Sequence, residues 1–327
     1  MKKGLIIVAA GLQFFVLVYM AGEREWVVRN GRTVFLRTMP IDPRDPFRGD
    51  YVRLDYEVNH VATNRLQGGL ADLKTGVKGR RVYASLVEKP GGVAGLDVLS
   101  DRVPEQGFFI RGRTERSYIG DTLPVRYGIE AFFVEQQQGR VLEDGRRRGE
   151  VQVPLEMEVA IGGKGMAVLK GYRWCPLGIG LKLENGTNRL VRSVTVQLMN
   201  VSSNDLAIVD MPGGGSLTLE PDRFRNWGER EWSWVGPKEP GVAVSDANVV
   251  VLKPNEVHEI RVDLERPEWF VTKPGSEPKS LAGLDWGAMF RLVYRSPSAD
   301  DCRQLKQGHL IWQGELMSRA FGGGRVD

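Results

Sequence analysis

The stretch Arg48-Gly49-Asp50-Tyr51-Val52-Arg53-Leu54-Asp55-Tyr56-Glu57-Val58 carries the clearest structural signal in the chain. Val52, Leu54, Tyr56 and Val58 share one parity; Tyr51, Arg53, Asp55 and Glu57 share the other. That is the period-two pattern of a half-buried strand, with side chains alternating between core and solvent. Just upstream, Pro40, Pro43 and Pro46 forbid regular pairing and impose an extended connector. The pattern then returns 71 residues later. Gly120-Asp121-Thr122-Leu123-Pro124-Val125-Arg126-Tyr127-Gly128-Ile129 aligns with Gly49 to Val58 without a gap, with Gly, Asp and Tyr identical. The expectation is a pair of related β units, each opening a core strand with Gly-Asp and burying a tyrosine, Tyr56 in one and Tyr127 in the other.

Further strands are expected at 33–38, 81–87, 108–114, 129–135, 151–161 and 166–171, the last two joined by a Gly162-Gly163-Lys164-Gly165 turn. That glycine-rich turn leads into a strand, whereas a phosphate loop needs a helix to aim its N–H groups. No cofactor is expected. A polar stretch at Asn185-Gly186-Thr187-Asn188 suggests a boundary, followed by seven alternating runs and a Trp-rich insertion at about 221–240. The expected fold is mainly β: an anchor at 1–28, a β-rich domain with internal duplication at 29–185, and an Ig-like β-sandwich at 186–327.

Composition agrees with many short strands. The 327 residues include 40 Gly without a three-residue period, and 45 basic against 41 acidic residues give a net charge of +4. The charges are interleaved, which argues against a dedicated nucleic-acid surface. Three His and two Cys are too few for a zinc site of ordinary local spacing, so no metal site is expected.

After Met1-Lys2-Lys3 come nineteen residues, Gly4 to Gly22, without a charge. As a helix they span about 28 Å, close to a bilayer core. Cleavage by a signal peptidase fits poorly, because a cut after Ala21 or Gly22 puts Tyr19 or Met20 where a small residue is required. A retained single-pass anchor is therefore expected, lying in the lipid bilayer through residues 4–22. The Lys pair ahead of it puts the N-terminus in the cytoplasm. The bulk then lies in the periplasm or outside, at a bacterial inner membrane.

The string Pro43 to Tyr56 behind an apolar helix resembles the bacterial GDYXXLXY family of membrane-anchored proteins, with Gly49, Asp50, Tyr51, Leu54 and Tyr56 at its five fixed positions. Tyr127-Gly128-Ile129-Glu130 resembles the family's second recurrent segment. The resemblance covers about residues 1–185 and implies membrane attachment but no chemistry. The C-terminal part is similar in outline to Ig-like modules of exported bacterial proteins.

Candidate site residues follow from the motif. Asp42, Asp45, Asp50 and Asp55, with Asp121 and Glu130 beside them if the repeat is real, form an acid cluster interleaved with Arg44, Arg48 and Arg53. One reading is an Arg–Asp lattice bracing a turn. The others are cation binding or acid–base work by an envelope hydrolase. Trp227, Trp232 and Trp234 form either a stacking platform for polysaccharide or a plug over the sandwich edge. In an oxidising compartment Cys175 and Cys302 could be joined by a disulfide, the alternative being two free thiols. The favoured reading is a non-enzymatic interaction or scaffold protein with an envelope partner.

Overall fold

The computed structural model describes residues 2–39, 51–70, 78–115, 122–133, 145, 147–185, 191–222, 232–236, 244–284 and 288–322. The candidate site residues Asp42, Asp45, Arg48, Gly49, Asp50, Gly120, Asp121 and Trp227 lie outside them.

A single helix, α1 (Lys2–Asn30), opens the structure. Its apolar side chains project from the rest of the molecule: Ile6, Phe14, Phe15 and Leu17 are all more than 60% exposed. Only near its end does it meet protein, at Val27, which is buried. Gly31 closes the helix by donating to Val27 O at 2.8 Å. A Cβ at Gly31 would lie 2.5 Å from that carbonyl and 2.9 Å from Ile161 O, so no larger residue fits this joint.

Six strands follow: β1 (Arg32–Arg37), β2 (Tyr51–Arg53), β3 (His60–Ala62), β4 (Leu66–Gln67), β5 (Arg81–Glu88) and β6 (Ala94–Ser100). The next set is β7 (Phe108–Thr114), β8 (Thr122–Arg126), β9 (Ala131–Phe133), β10 (Arg147–Arg148), β11 (Val151–Gln152), β12 (Leu155–Ile161) and β13 (Ala167–Trp174). The expected strand over 51–58 is shorter than its pattern. β2 stops at Arg53, and Val58 reaches the core from a 3-10 turn, Glu57–Asn59. The alternation is that of an inward-facing chain, and burial alone does not require a ladder.

The repeat extends well beyond the motif. β2 pairs with β9 as Tyr51–Phe133, Val52–Phe132 and Arg53–Ala131, and β3 pairs with β8 as His60–Pro124, Val61–Leu123 and Ala62–Thr122. Exchanging residues across the 71-residue offset turns one ladder into the other, pair for pair. The hairpins correspond as well. β5 with β6 and β12 with β13 are antiparallel, each with a register shift in mid-strand. Their turns match bond for bond at an offset of 73 (162 against 89). Lys89 N bonds Val93 O and Gly92 N bonds Lys89 O, while Gly162 N bonds Met166 O and Gly165 N bonds Gly162 O. β1 crosses to β12 of the second copy, and β7 crosses to β5 of the first. A parallel bridge from Phe35 to Val93 and a bond from Arg111 N to Gly165 O close β7, β5, β6, β1, β12 and β13 into a ring. One core fills it, with Leu36, Leu54, Tyr56, Val82, Ile110, Val125, Tyr127 and Leu155 all buried. The first unit is two interlocked copies of one chain segment.

The second unit comprises β14 (Leu177–Asn185), β15 (Val191–Asn200), β16 (Leu206–Val209), β17 (Leu217–Pro221), β18 (Ser233–Trp234), β19 (Val249–Leu252), β20 (Val257–Asp263), β21 (Val271–Thr272), β22 (Met289–Arg295), β23 (Glu315–Met317) and β24 (Phe321–Gly322). A five-stranded sheet, β10-β11-β14-β15-β20, and a sheet of β17-β22-β23, with β24 also on β22, supply one shared core that includes Ile179, Val196 and Ile260 from the first and Leu219, Leu292 and Leu316 from the second. Two facing antiparallel sheets are thus present. The core changes hands between Trp174 and Leu177, upstream of the turn-rich stretch at 185–188, because β14 pairs with β15 along nearly its whole length.

Candidate functional site

The motif's described side chains lie at the crossing of the two copies. Tyr56 is fully buried and its hydroxyl donates to Ile129 O at 2.8 Å; Tyr127 is buried and its hydroxyl donates to Val58 O at 2.9 Å. The repeat equates Tyr56 with Tyr127 and Val58 with Ile129, so each copy hands its tyrosine to the matching carbonyl of the other. Burial, and then the nearby Glu130, push both phenols far above their usual range, so they act as fixed donors. Leu54 is buried and its N–H bonds Glu130 O at 2.8 Å. The Glu130 carboxylate in turn accepts from the backbone N–H of Tyr127 at 2.5 Å and of Gly128 at 2.9 Å, which braces the turn. Tyr51 stands opposite Phe133 in β2.

Asp55 and His60 form the other polar pair here, at 2.6 Å, each about a quarter exposed (23%). A carboxylate–imidazole pair is the orienting half of a general-base device. The described strand neighbour of His60 is Pro124, which supplies no nucleophile. Among the described residues no group of three His, Cys, Asp or Glu is placed to hold a metal ion.

One cluster was not anticipated from the sequence. Arg37 and Glu156 are buried and paired at 2.7 Å, and Arg173 meets the other Glu156 oxygen at 2.7 Å. Arg37 also donates to the backbone carbonyl of Glu315, and Lys89 pairs with the Glu315 carboxylate, so the network joins the two units. Burial disfavours the Arg37 charge, but the groups around it, Glu57 foremost and Glu156 among the rest, outweigh it and raise its pKa. Glu57 keeps some solvent contact yet sits deep among protein atoms. Burial raises its pKa, against the pull of Arg37 and Lys89. Burial also works against the charge of Glu315, but Lys89 and Arg295 hold its carboxyl below the usual range. These residues lie far apart along the chain and show no spacing that sequence reading recognises. By strand parity Arg37 falls with Thr33 and Phe35, opposite the core-facing Val34 and Leu36, so the pattern gives no sign of its burial.

The tryptophans divide. Trp232 is buried in the second core and cannot present a face to a sugar. Trp234 stacks on Trp269 at 5.4 Å and donates from Nε1 to Glu268 O at 2.8 Å. Both described tryptophans thus pack against the second unit. Cys175 and Cys302 are both buried and free, which corrects the disulfide expectation. Cys175 belongs to the large second core and Cys302 to a small separate cluster with Met211 and Ile311. Burial pushes the Cys175 thiol up to about 12, so it stays protonated and unreactive.

A family model described as GDYXXLXY protein matches residues 13–171. No curated protein and no solved structure matches the chain.

Proposed function

The chain belongs, through residues 13–171, to the GDYXXLXY family, and from that premise we propose that it is a non-enzymatic, membrane-tethered scaffold of the bacterial envelope. The observation that carries this reading is α1. The most apolar 18-residue window of its segment Ile6–Asn30 has a mean hydropathy of 1.8, and none of that window is covered by the rest of the fold. Burying a Leu- or Phe-sized side chain is worth about 1.5–3 kcal/mol, so such a helix needs an apolar solvent. The reading places the N-terminus in the cytoplasm and both β units in the periplasm or outside, presented to an envelope protein partner. The immunoglobulin-like reading of the second unit belongs to the same proposal, supported by two facing antiparallel sheets over one core. A structural rather than catalytic role for the motif is supported by Tyr56, Tyr127 and Glu130, whose polar groups are engaged in holding the two copies together.

The test is made on the full chain in cells. Intact mass from washed membranes and protease access to a C-terminal tag are measured, with mild-detergent co-purification alongside. The reading expects an uncleaved chain, a tag reached only from the periplasmic side, and a stable envelope partner. A mass short by the leading twenty-odd residues, or a tag reached only from the cytosol, overturns it.

A further inference from the structure

The duplication allows two equivalent turns to be compared. The first, Lys89 to Gly92, touches the second unit: Lys89 pairs with Glu315, and a Cβ at Gly91 would lie 2.7 Å from Gln313 O, although Pro90 and Gly91 themselves remain exposed. Its counterpart, Gly162 to Gly165, leaves Gly163 and Lys164 exposed. This turn lies beside the end of α1. Arg32, two residues after the helix, pairs with Ile161, and a Cβ at Gly162 would lie 2.8 Å from the Val27 side chain. Val27 is five residues past Gly22, where the uncharged stretch ends, which is about 8 Å along a helix. One non-helical residue, Gly31, separates α1 from β1, so the turn is held at a set height by a short joint. On the same stretch of helix, Trp26 is 70% exposed and Arg24 is exposed. An exposed indole and cations just beyond an apolar span suit the headgroup layer.

We propose that the Gly162–Gly165 turn is a lipid-contacting element that rests on the phospholipid headgroups beside the emerging helix, with Lys164 meeting headgroup phosphates. The structural position that one copy uses to hold the sandwich is thereby used by the other to seat the molecule on the bilayer. This inference rests on the reading of α1 as a membrane span.

The test uses the full chain in vesicles of phosphatidylethanolamine and phosphatidylglycerol, spin-labelled at one introduced cysteine at a time. The variants are Lys164→Cys, Lys306→Cys on the second unit and Phe14→Cys on α1, with the unsubstituted chain and its two buried thiols as the blank. Collision with dissolved oxygen and with a water-soluble nickel chelate is measured for each. The expected result is a Phe14 label in hydrocarbon and a label at 164 whose collision with the chelate is several-fold lower than at 306. A label at 164 as accessible as that at 306, with the Phe14 label in hydrocarbon, overturns the docking and leaves the anchor standing. A Phe14 label exposed to the chelate overturns both.

Discussion

The turns at 89–92 and 162–165 share a hydrogen-bond pattern, an equivalent Gly at Gly92 and Gly165, and an aromatic neighbour, Phe35 of β1 or Phe109 of β7. Their surroundings differ. The first sits in a charged joint with Arg173 donating to Gly91 O and Lys89 on Glu315. The second packs on the base of an apolar helix. The same backbone pattern thus meets a different neighbour in each copy. The comparison also shows where the fold's cohesion lies: ladders β1–β12, β2–β9, β3–β8 and β5–β7 all run between copies.

The largest expected effect follows from that interlock. A chain ending at Val103 keeps the first copy but strips β1, β2 and β3 of their partner strands. It should show no cooperative thermal transition, and a folded half measured by circular dichroism and hydrogen exchange would break the comparison. Next come the turn glycines. Gly92 and Gly165 have φ of +75° and +74°, so alanine costs each about 1–2 kcal/mol. At Gly165 the new Cβ would also lie 2.6 Å from the Phe109 ring, while at Gly92 its nearest neighbour is 4.0 Å away. Gly165→Ala should therefore lose roughly 1–3 kcal/mol more in urea denaturation. Equal losses would mean that Phe109 yields freely.

Tyr56→Phe and Tyr127→Phe sharpen the symmetry itself. Each leaves one buried carbonyl without its donor, at a cost of about 1–3 kcal/mol, and the two losses should agree closely. The charged joint responds to pH. Glu315 has a folded pKa held down, so its contribution to stability is present above the unfolded value of about 4.3 and disappears as the pH falls through the lower folded value. Glu315→Gln should flatten the acid limb of the stability profile. Glu57 has the opposite sign. Its raised folded pKa means that stability falls as pH rises from about 4.3 through the folded value. Glu57→Gln should thus stabilise the protein modestly at neutral pH, the smallest effect expected.

Much of this was legible in the chain. Uncharged length marked α1, period-two alternation marked strands such as 108–114 and 289–295, and a gapless recurrence of Gly-Asp and Tyr marked the duplication. These are local signals, set by bilayer thickness and by the pleat of a strand. β6 and β14 escaped because their Gly residues blur the alternation (Ala94-Gly95-Leu96; Leu177-Gly178-Ile179-Gly180). Sequence reading also drew the second unit's edge at the polar turn near 185, where the tertiary structure has a hairpin of β14 and β15.

By itself, then, the sequence determined that an apolar helix leads a duplicated β-rich body, because those properties depend on neighbours along the chain. Only the tertiary structure decided that the copies exchange strands and tyrosines, that Arg37, Glu156 and Glu315 meet at one joint, and that Cys175 and Cys302 do not. Those outcomes depend on which distant segments share a core. Antiparallel ladders of equal local merit can close within a copy or between copies, and the packing of the whole barrel selects between them.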